Sequence, residues 1–183
     1  EFKFTFEKMS LDGALFDLAK VQNLCKEKLG HMNTKDFSEA ATLWAKEYSP
    51  ELFALIEKDP AYFSQIVGIE REKEKPRKDY AKYSDIYPII SFFYDDVYST
   101  IDYSTVEWNP TMNKEDIKAV LEDYANTINM ELNEEEWFNS IKELSVRHGF
   151  ADNIKVWKKD KESYKGHVGD VSEMLRIALS GRK

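Results

Sequence analysis

Cysteine is almost missing from these 183 residues: Cys25 stands alone, so no disulfide can close within the chain and nothing points to an oxidising compartment. Glycine (7) and proline (5) are also scarce, which argues against a turn-rich sandwich and against a low-complexity linker. No apolar run approaches the roughly 20 residues that cross a bilayer, and Glu1 to Ser10 lacks the basic-then-apolar order of a signal peptide. A cytoplasmic protein without a membrane partner is expected. An initiator methionine is absent as well and the chain starts in mid-pattern, which reads as a piece of something longer.

The motifs that carry chemistry are missing in the same way. His31, His148 and His167 are too far apart to form a metal-ligating pair, so zinc is not expected. There is no serine nucleophile elbow and no glycine-rich phosphate loop. Cys25 lies in a helical pattern without an activating base and reads as a small packed residue. Glu134-Glu135-Glu136 reads as the acidic first turn of a helix, where the dipole favours carboxylates, before it reads as acid/base machinery. No catalytic residue and no metal ligand is assigned.

What is present is bulk and charge: 42% hydrophobic, 14% aromatic and 33% charged residues, a mixture suited to long helices with bulky buried faces. An all-α chain is expected, as one domain or two small ones. Asp17 can cap a helix flanked by Phe16 and Val21 as a hydrophobic staple, with Leu18, Leu24 and Leu29 beyond them and an end near Gly30. Phe37, Ala40, Ala41 and Trp44 mark a second helix over 36–48. Ser49-Pro50 and Asp59-Pro60 each offer a cap followed by proline at the first helical position. Tyr83, Ile86, Tyr87 and Ile90 suggest a longer helical segment, which makes four or five packed helices over 31–94. From Asp95 to Met112 the periodicity fails and a connecting stretch is expected. Beyond it Ile117, Val120, Leu121, Tyr124 and Ile128 form one stripe. Asn133 and Glu136 can form a capping box for a helix whose Trp137, Ile141 and Leu144 face the core. Gly149 stops that helix, and a last one carries Val171, Met174, Leu175, Ala178 and Leu179 to Gly181.

The formal charge of −8 speaks against non-specific affinity for nucleic acid, but it conceals a gradient. Residues 1–91 hold 14 basic and 16 acidic groups, residues 92–139 hold 2 and 12, and residues 140–183 hold 10 and 6. Within the first segment, Arg71, Lys73, Lys75, Arg77, Lys78 and Lys82 flank Pro76, with Tyr80 and Tyr83 interleaved. Cations beside aromatic rings suit phosphates and splayed bases. On composition alone the run reads first as a solvated helix end. Lys155, Lys158, Lys159, Lys161 and Lys165, with Trp157 and Tyr164, form a second cluster that reads first as a solvated loop beside one core tryptophan.

Longer motifs shift that balance. Phe6-Glu7-Lys8-Met9-Ser10, Gly13-Ala14-Leu15-Phe16-Asp17 and Lys20-Val21 are followed by Pro76-Arg77-Lys78-Asp79 and Phe92-Phe93-Tyr94. Trp137, Ile141, Lys142, Gly149-Phe150 and the closing Leu175-Arg176-Ile177-Ala178-Leu179-Ser180-Gly181 complete the set. In this order they resemble the C-terminal half of a bacterial-type glutamyl-tRNA synthetase, whose closing motif is usually Leu-Arg-x-Ala-Leu-Thr-Gly. Lys8-Met9-Ser10 is not the family's ATP-loop signature K-M-S-K-S, because Leu11-Asp12 departs from it.

The resemblance implies an anticodon-binding unit of two helical subdomains: a linking segment and helix over 1–30, a first subdomain over 31–112 and a second over 113–183, truncated at its C-terminus. It implies tRNA as partner, for glutamate and possibly glutamine, with an N-terminal catalytic half that uses ATP and Mg2+. The signatures of that half are absent from these residues, so no cofactor is expected here and no aminoacylation by the chain alone; a monomer is expected. An arginine at about the place of Arg77 reads the third anticodon base in the family, with Arg71 the alternative if the register slips by a turn. The further tRNA-binding candidates are Lys73, Lys75, Lys78, Lys155, Lys158, Lys159, Lys165 and Arg176. The competing expectation, from the residues alone, is a helical protein-interaction module whose acidic stretch 92–139 meets a basic partner.

Overall fold

A computed structural model describes residues 5, 7, 16–109 and 112–182. Among them the chain is all-α, with one isolated bridge between Ala151 and His167 and no strand. It divides into two compact units, 1–94 and 95–183. The motif residues Phe6, Lys8-Met9-Ser10 and Gly13-Ala14-Leu15 lie outside the described residues.

In the first unit, α1 (Leu18–Gly30) begins at Asp17, whose carboxylate accepts from the Lys20 N–H at 3.1 Å, the expected cap. The expected staple does not form a core: Phe16 is 76% exposed and Leu24 61%, and Gly30 is the helix's one buried residue. Gly30 is there because a Cβ would stand 3.2 Å from both the Arg77 carbonyl oxygen and the Lys78 side chain. Asn33 caps α2 (Thr34–Tyr48) by accepting from the Asp36 N–H at 2.8 Å. This helix buries Phe37, Ala41 and Ala45, and the small alanines let α3 (Pro50–Lys58) and α4 (Pro60–Gly68) approach. Proline opens both as expected; Asp59 caps α4 through the Tyr62 N–H at 2.9 Å, whereas Ser49 makes no side-chain cap. The core is Phe37, Leu52, Phe63, Ile86 and Ile90.

The longer helix expected over Tyr83 to Ile90 is broken up. A 3-10 turn at Tyr83–Asp85 leads into α5 (Ile86–Ile90), then a second 3-10 turn at Ser91–Phe93. Pro88 has no N–H to give the Ser84 carbonyl, so a regular helix cannot run in from Tyr83, and the proline sits instead in the first turn of α5, where no donor is needed.

The second unit starts with the short α6 (Asp95–Tyr98) and an irregular stretch fastened to the molecule by its hydroxyls. Tyr98 and Tyr103 both donate to the Ala178 carbonyl oxygen, at 3.2 and 2.5 Å. α7 (Lys114–Thr127), α8 (Glu134–Arg147), α9 (Ile154–Lys159) and α10 (Val168–Ser180) follow. The expected capping box at the head of α8 is present: Glu136 N–H donates to Asn133 Oδ1 at 3.0 Å and Asn133 N–H to Glu136 Oε2 at 3.1 Å. Ile117, Val120, Ile141, Leu144, Phe150, Val171, Met174 and Leu175 make the core. Trp137 stays at its margin, 37% exposed, with its indole N–H donating to the Tyr124 hydroxyl at 3.1 Å. Gly181 closes α10 in the left-handed region at φ 71°.

Candidate nucleic-acid interface

The basic run 71–82 is a loop between α4 and the first 3-10 turn, not a helix end. It opens at Glu70, a left-handed residue (φ 57°) that turns the chain back toward α1 and α2. Glu72 then pins it: Thr34 N–H and Oγ1–H both donate to Glu72 Oε1 at 2.8 Å, filling one of the open donors at the head of α2. Those bonds hold the Glu72 carboxyl below the usual carboxylate range.

Arg71 is enclosed, only 7% exposed. Its Nε donates to the Val67 carbonyl oxygen at 2.9 Å and its Nη1 to those of Leu29 and Met32 at 2.6 and 3.2 Å, while the guanidinium lies 3.8 Å over the Phe37 ring. One cation thus satisfies carbonyls at the ends of α1 and α4 and stacks on a fully buried ring of the core. Burial lowers its pKa, but the charge is retained because an arginine starts so high.

Arg77 faces out, with 55% of its side chain exposed. Asp79 grips it side-on: Nε donates to Oδ2 at 2.8 Å and Nη2 to Oδ1 at 3.1 Å. This fork raises the guanidinium pKa. A side-on grip leaves Nη1 and the outer hydrogen of Nη2 directed away from the carboxylate, a pair of parallel donors suited to a base edge or a phosphate. Lys78 pairs with Glu27 of α1, Lys73 with Glu70 at 2.7 Å, and Lys75 is exposed. The interleaved aromatics separate. Tyr80 is buried, stacked on Phe37 with centroids 5.3 Å apart, and desolvation pushes its phenol up to about 12, so it offers no stacking face. Tyr83 stays half-exposed.

The second cluster lies in the other unit. Asn153 caps α9 by accepting from the Lys155 and Val156 N–H groups at 2.9 and 3.0 Å. Lys155, Lys158 and Lys159 project from this helix exposed, while Lys161 lies 4.9 Å over the Trp157 ring. Trp157 meets His167 edge-on at 5.2 Å. Lys165 is drawn away into a 2.5 Å ion pair with Asp116 of α7, and Arg176 is exposed on α10. Of the candidate cations, those without a carboxylate partner among the described residues are Lys75 in one unit and Lys155, Lys158, Lys159 and Arg176 in the other. Among the described residues no group of three or more His, Cys, Asp or Glu could hold a metal ion, and no helix is long and apolar enough to cross a membrane.

Sequence reasoning missed Asp79 as the partner of Arg77, although the i, i+2 spacing was readable. It also missed the enclosure of Arg71, which depends on carbonyls far away in the chain.

No protein-family model matches the chain, and no solved structure matches it. Curated relatives do, along its whole length. It is 35% identical over 182 residues to the glutamate–tRNA ligase of Clostridium perfringens strain 13 and equally to that of Acetivibrio thermocellus. Identity to the glutamate–tRNA ligase of Sorangium cellulosum is 33% over 182 residues. Each match covers 100% of this chain, which spans about a third of the relatives' length (33%, 33% and 32%). Over its whole length the chain is similar to glutamate–tRNA ligases and matches the C-terminal part of those relatives.

Proposed function

We propose that this chain recognises the anticodon of a glutamate-accepting tRNA for a glutamate–tRNA ligase. The observation that carries the reading is the match of the whole chain to the C-terminal third of such ligases. Residues 31–112 and 113–183 would act as the two anticodon-binding subdomains after a linking segment over 1–30. Arg77 reads the third anticodon base through the donors that Asp79 leaves free. Lys155, Lys158 and Lys159 meet phosphates as point charges, and Lys75 and Arg176 add to the positive field. Lys73, Lys78 and Lys165 are already paired with carboxylates and contribute only if RNA displaces Glu70, Glu27 and Asp116. Arg71 acts from inside by fixing the loop. Activation of glutamate with ATP and Mg2+ belongs to the part of the ligases that this chain does not match.

The test is binding of a glutamate-tRNA transcript by the full-length protein at several salt concentrations. Affinity falls as salt rises, with a slope set by the phosphates neutralised. Arg77→Ala weakens binding about tenfold at moderate ionic strength, within the range of one lost bidentate contact. Unchanged affinity in the variant removes Arg77 from the site. Preference for unrelated basic proteins over tRNA would favour an interaction module using the acidic stretch 92–139.

A further inference from the structure

A groove of about 430 Å³ opens in the first unit between the last turns of α1, the middle of α2 and the turn at Tyr83–Asp85. Its walls are Cys25, Lys28 and Leu29 on one side and Trp44, Lys82 and Tyr83 on the other. Trp44 and Tyr83 are both half-exposed, with ring centroids 6.1 Å apart and planes tilted by 33°. Buried Phe37 backs Tyr83 at 5.8 Å, and Tyr48, itself exposed, lies beside Trp44 at 5.8 Å, so each ring has an aromatic neighbour. Neither the Trp44 indole N–H nor the Tyr83 hydroxyl has a hydrogen-bond partner among the described residues. Lys28 is exposed and unpaired among them, and Lys82 reaches Asp85 only at 4.0 Å.

We infer that this groove is a stacking site for a single unstacked nucleotide of the bound RNA, with Trp44 and Tyr83 taking the base and Lys28 and Lys82 its phosphates. The inference rests on the tRNA-binding reading and adds a subsite to it. Two half-exposed rings offer a π-face of the kind that bases of any identity use. The cations stand at the mouth of an otherwise apolar cleft, which fits a ligand that is flat and apolar at one end and anionic at the other. An apolar peptide side chain would fill the cleft but give Lys28 and Lys82 at its edge no anionic counterpart. The groove also borders the Arg77 loop: Gly30, one residue beyond Leu29, abuts the Arg77 carbonyl oxygen and Lys78. A strand held at Arg77 therefore continues past the end of α1.

Cys25 is the chain's single cysteine, half-buried in the groove wall, and so reports on occupancy. The experiment follows N-ethylmaleimide alkylation of Cys25 in the full-length protein, counting only this site by mass spectrometry, with and without a glutamate-tRNA transcript. RNA slows alkylation several-fold. Trp44→Ala weakens RNA binding about tenfold, the size expected for loss of one stacked base. Lys28→Glu, at an exposed position that leaves the fold intact, weakens it about threefold or more and abolishes protection at equal occupancy. If RNA binds with the expected dependence on Arg77 but Cys25 is alkylated at an unchanged rate, the groove is not a subsite while the anticodon reading stands. Protection that persists at equal occupancy in both Trp44→Ala and Lys28→Glu overturns the groove as well. If the transcript does not bind at all, both readings fall together.

Discussion

Arg71 and Arg77 carry the same guanidinium into opposite surroundings, and their variants should separate folding from recognition. Arg71→Met takes the donor from the buried Val67 carbonyl and from the part-buried ones of Leu29 and Met32, of which Leu29 keeps the Met32 N–H at 3.4 Å. At about 1 kcal/mol for each of the two carbonyls left unmatched, urea unfolding should show a loss of about 2 kcal/mol. Arg77→Met, at an exposed site, should stay within about 0.5 kcal/mol of the parent. Asp79→Asn keeps the shape but weakens the fork that aims Arg77, and it removes a negative charge from the face proposed to meet RNA. Its discrimination between tRNAs differing at the third anticodon base should fall while overall affinity holds or rises, as read from paired Kd values. The two arginines look alike in sequence because both sit in one charged run. Their difference lies in Phe37 and in carbonyls some forty residues upstream, which only the fold brings to Arg71.

Helix ends were the most legible elements, because a cap is a local event. Asp17, Asp59, Asn133 and Glu136 all act where spacing places them. Ser49 does not, and the helix it precedes relies on Pro50 instead. Helix lengths were less legible: Pro88 interrupts a segment whose apolar spacing looked continuous, since periodicity registers faces and not missing donors. Two element-scale predictions follow from long-range ties. Asp123 near the end of α7 accepts from Arg147 Nε and Nη2 at 3.1 and 3.2 Å and lies 2.8 Å from His148 Nε2 at the end of α8. Its hydrogen bond from Arg147, then that involving His148, holds the carboxyl below its ordinary value. A carboxyl depressed in the folded state contributes stability above its unfolded pKa of about 3.9 and loses it as pH falls through the lower folded value. Thermal melts of Asp123→Asn should therefore show a deficit at pH 7 that shrinks toward pH 3. Gly181→Ala meets two obstacles, a φ of 71° and Ile101 Cγ2 at 2.7 Å from the new Cβ. It should cost about 1 kcal/mol or more in urea unfolding.

At the scale of the whole molecule, a charge of −8 and affinity for RNA are compatible because the cations are placed, not averaged. The all-α class followed from composition, and the similarity to glutamate–tRNA ligases was legible because Pro76-Arg77-Lys78-Asp79, Trp137 and Leu175 to Gly181 are spaced along the chain in a fixed order. The groove at Trp44 was not legible, since a tryptophan at helical spacing reads as core and only the turn at Tyr83 leaves its ring half-open. Recognition that rests on few contacts should be both salt-sensitive and easily degraded by one substitution. The decisive comparison is the ratio of Kd values for a glutamate-tRNA transcript and the same transcript with its third anticodon base changed, measured for the parent protein and for Arg77→Ala at fixed salt. The parent should discriminate by about tenfold or more, as one bidentate base contact does, and the variant should bind both transcripts alike. Full discrimination retained in Arg77→Ala would contradict base reading by Arg77.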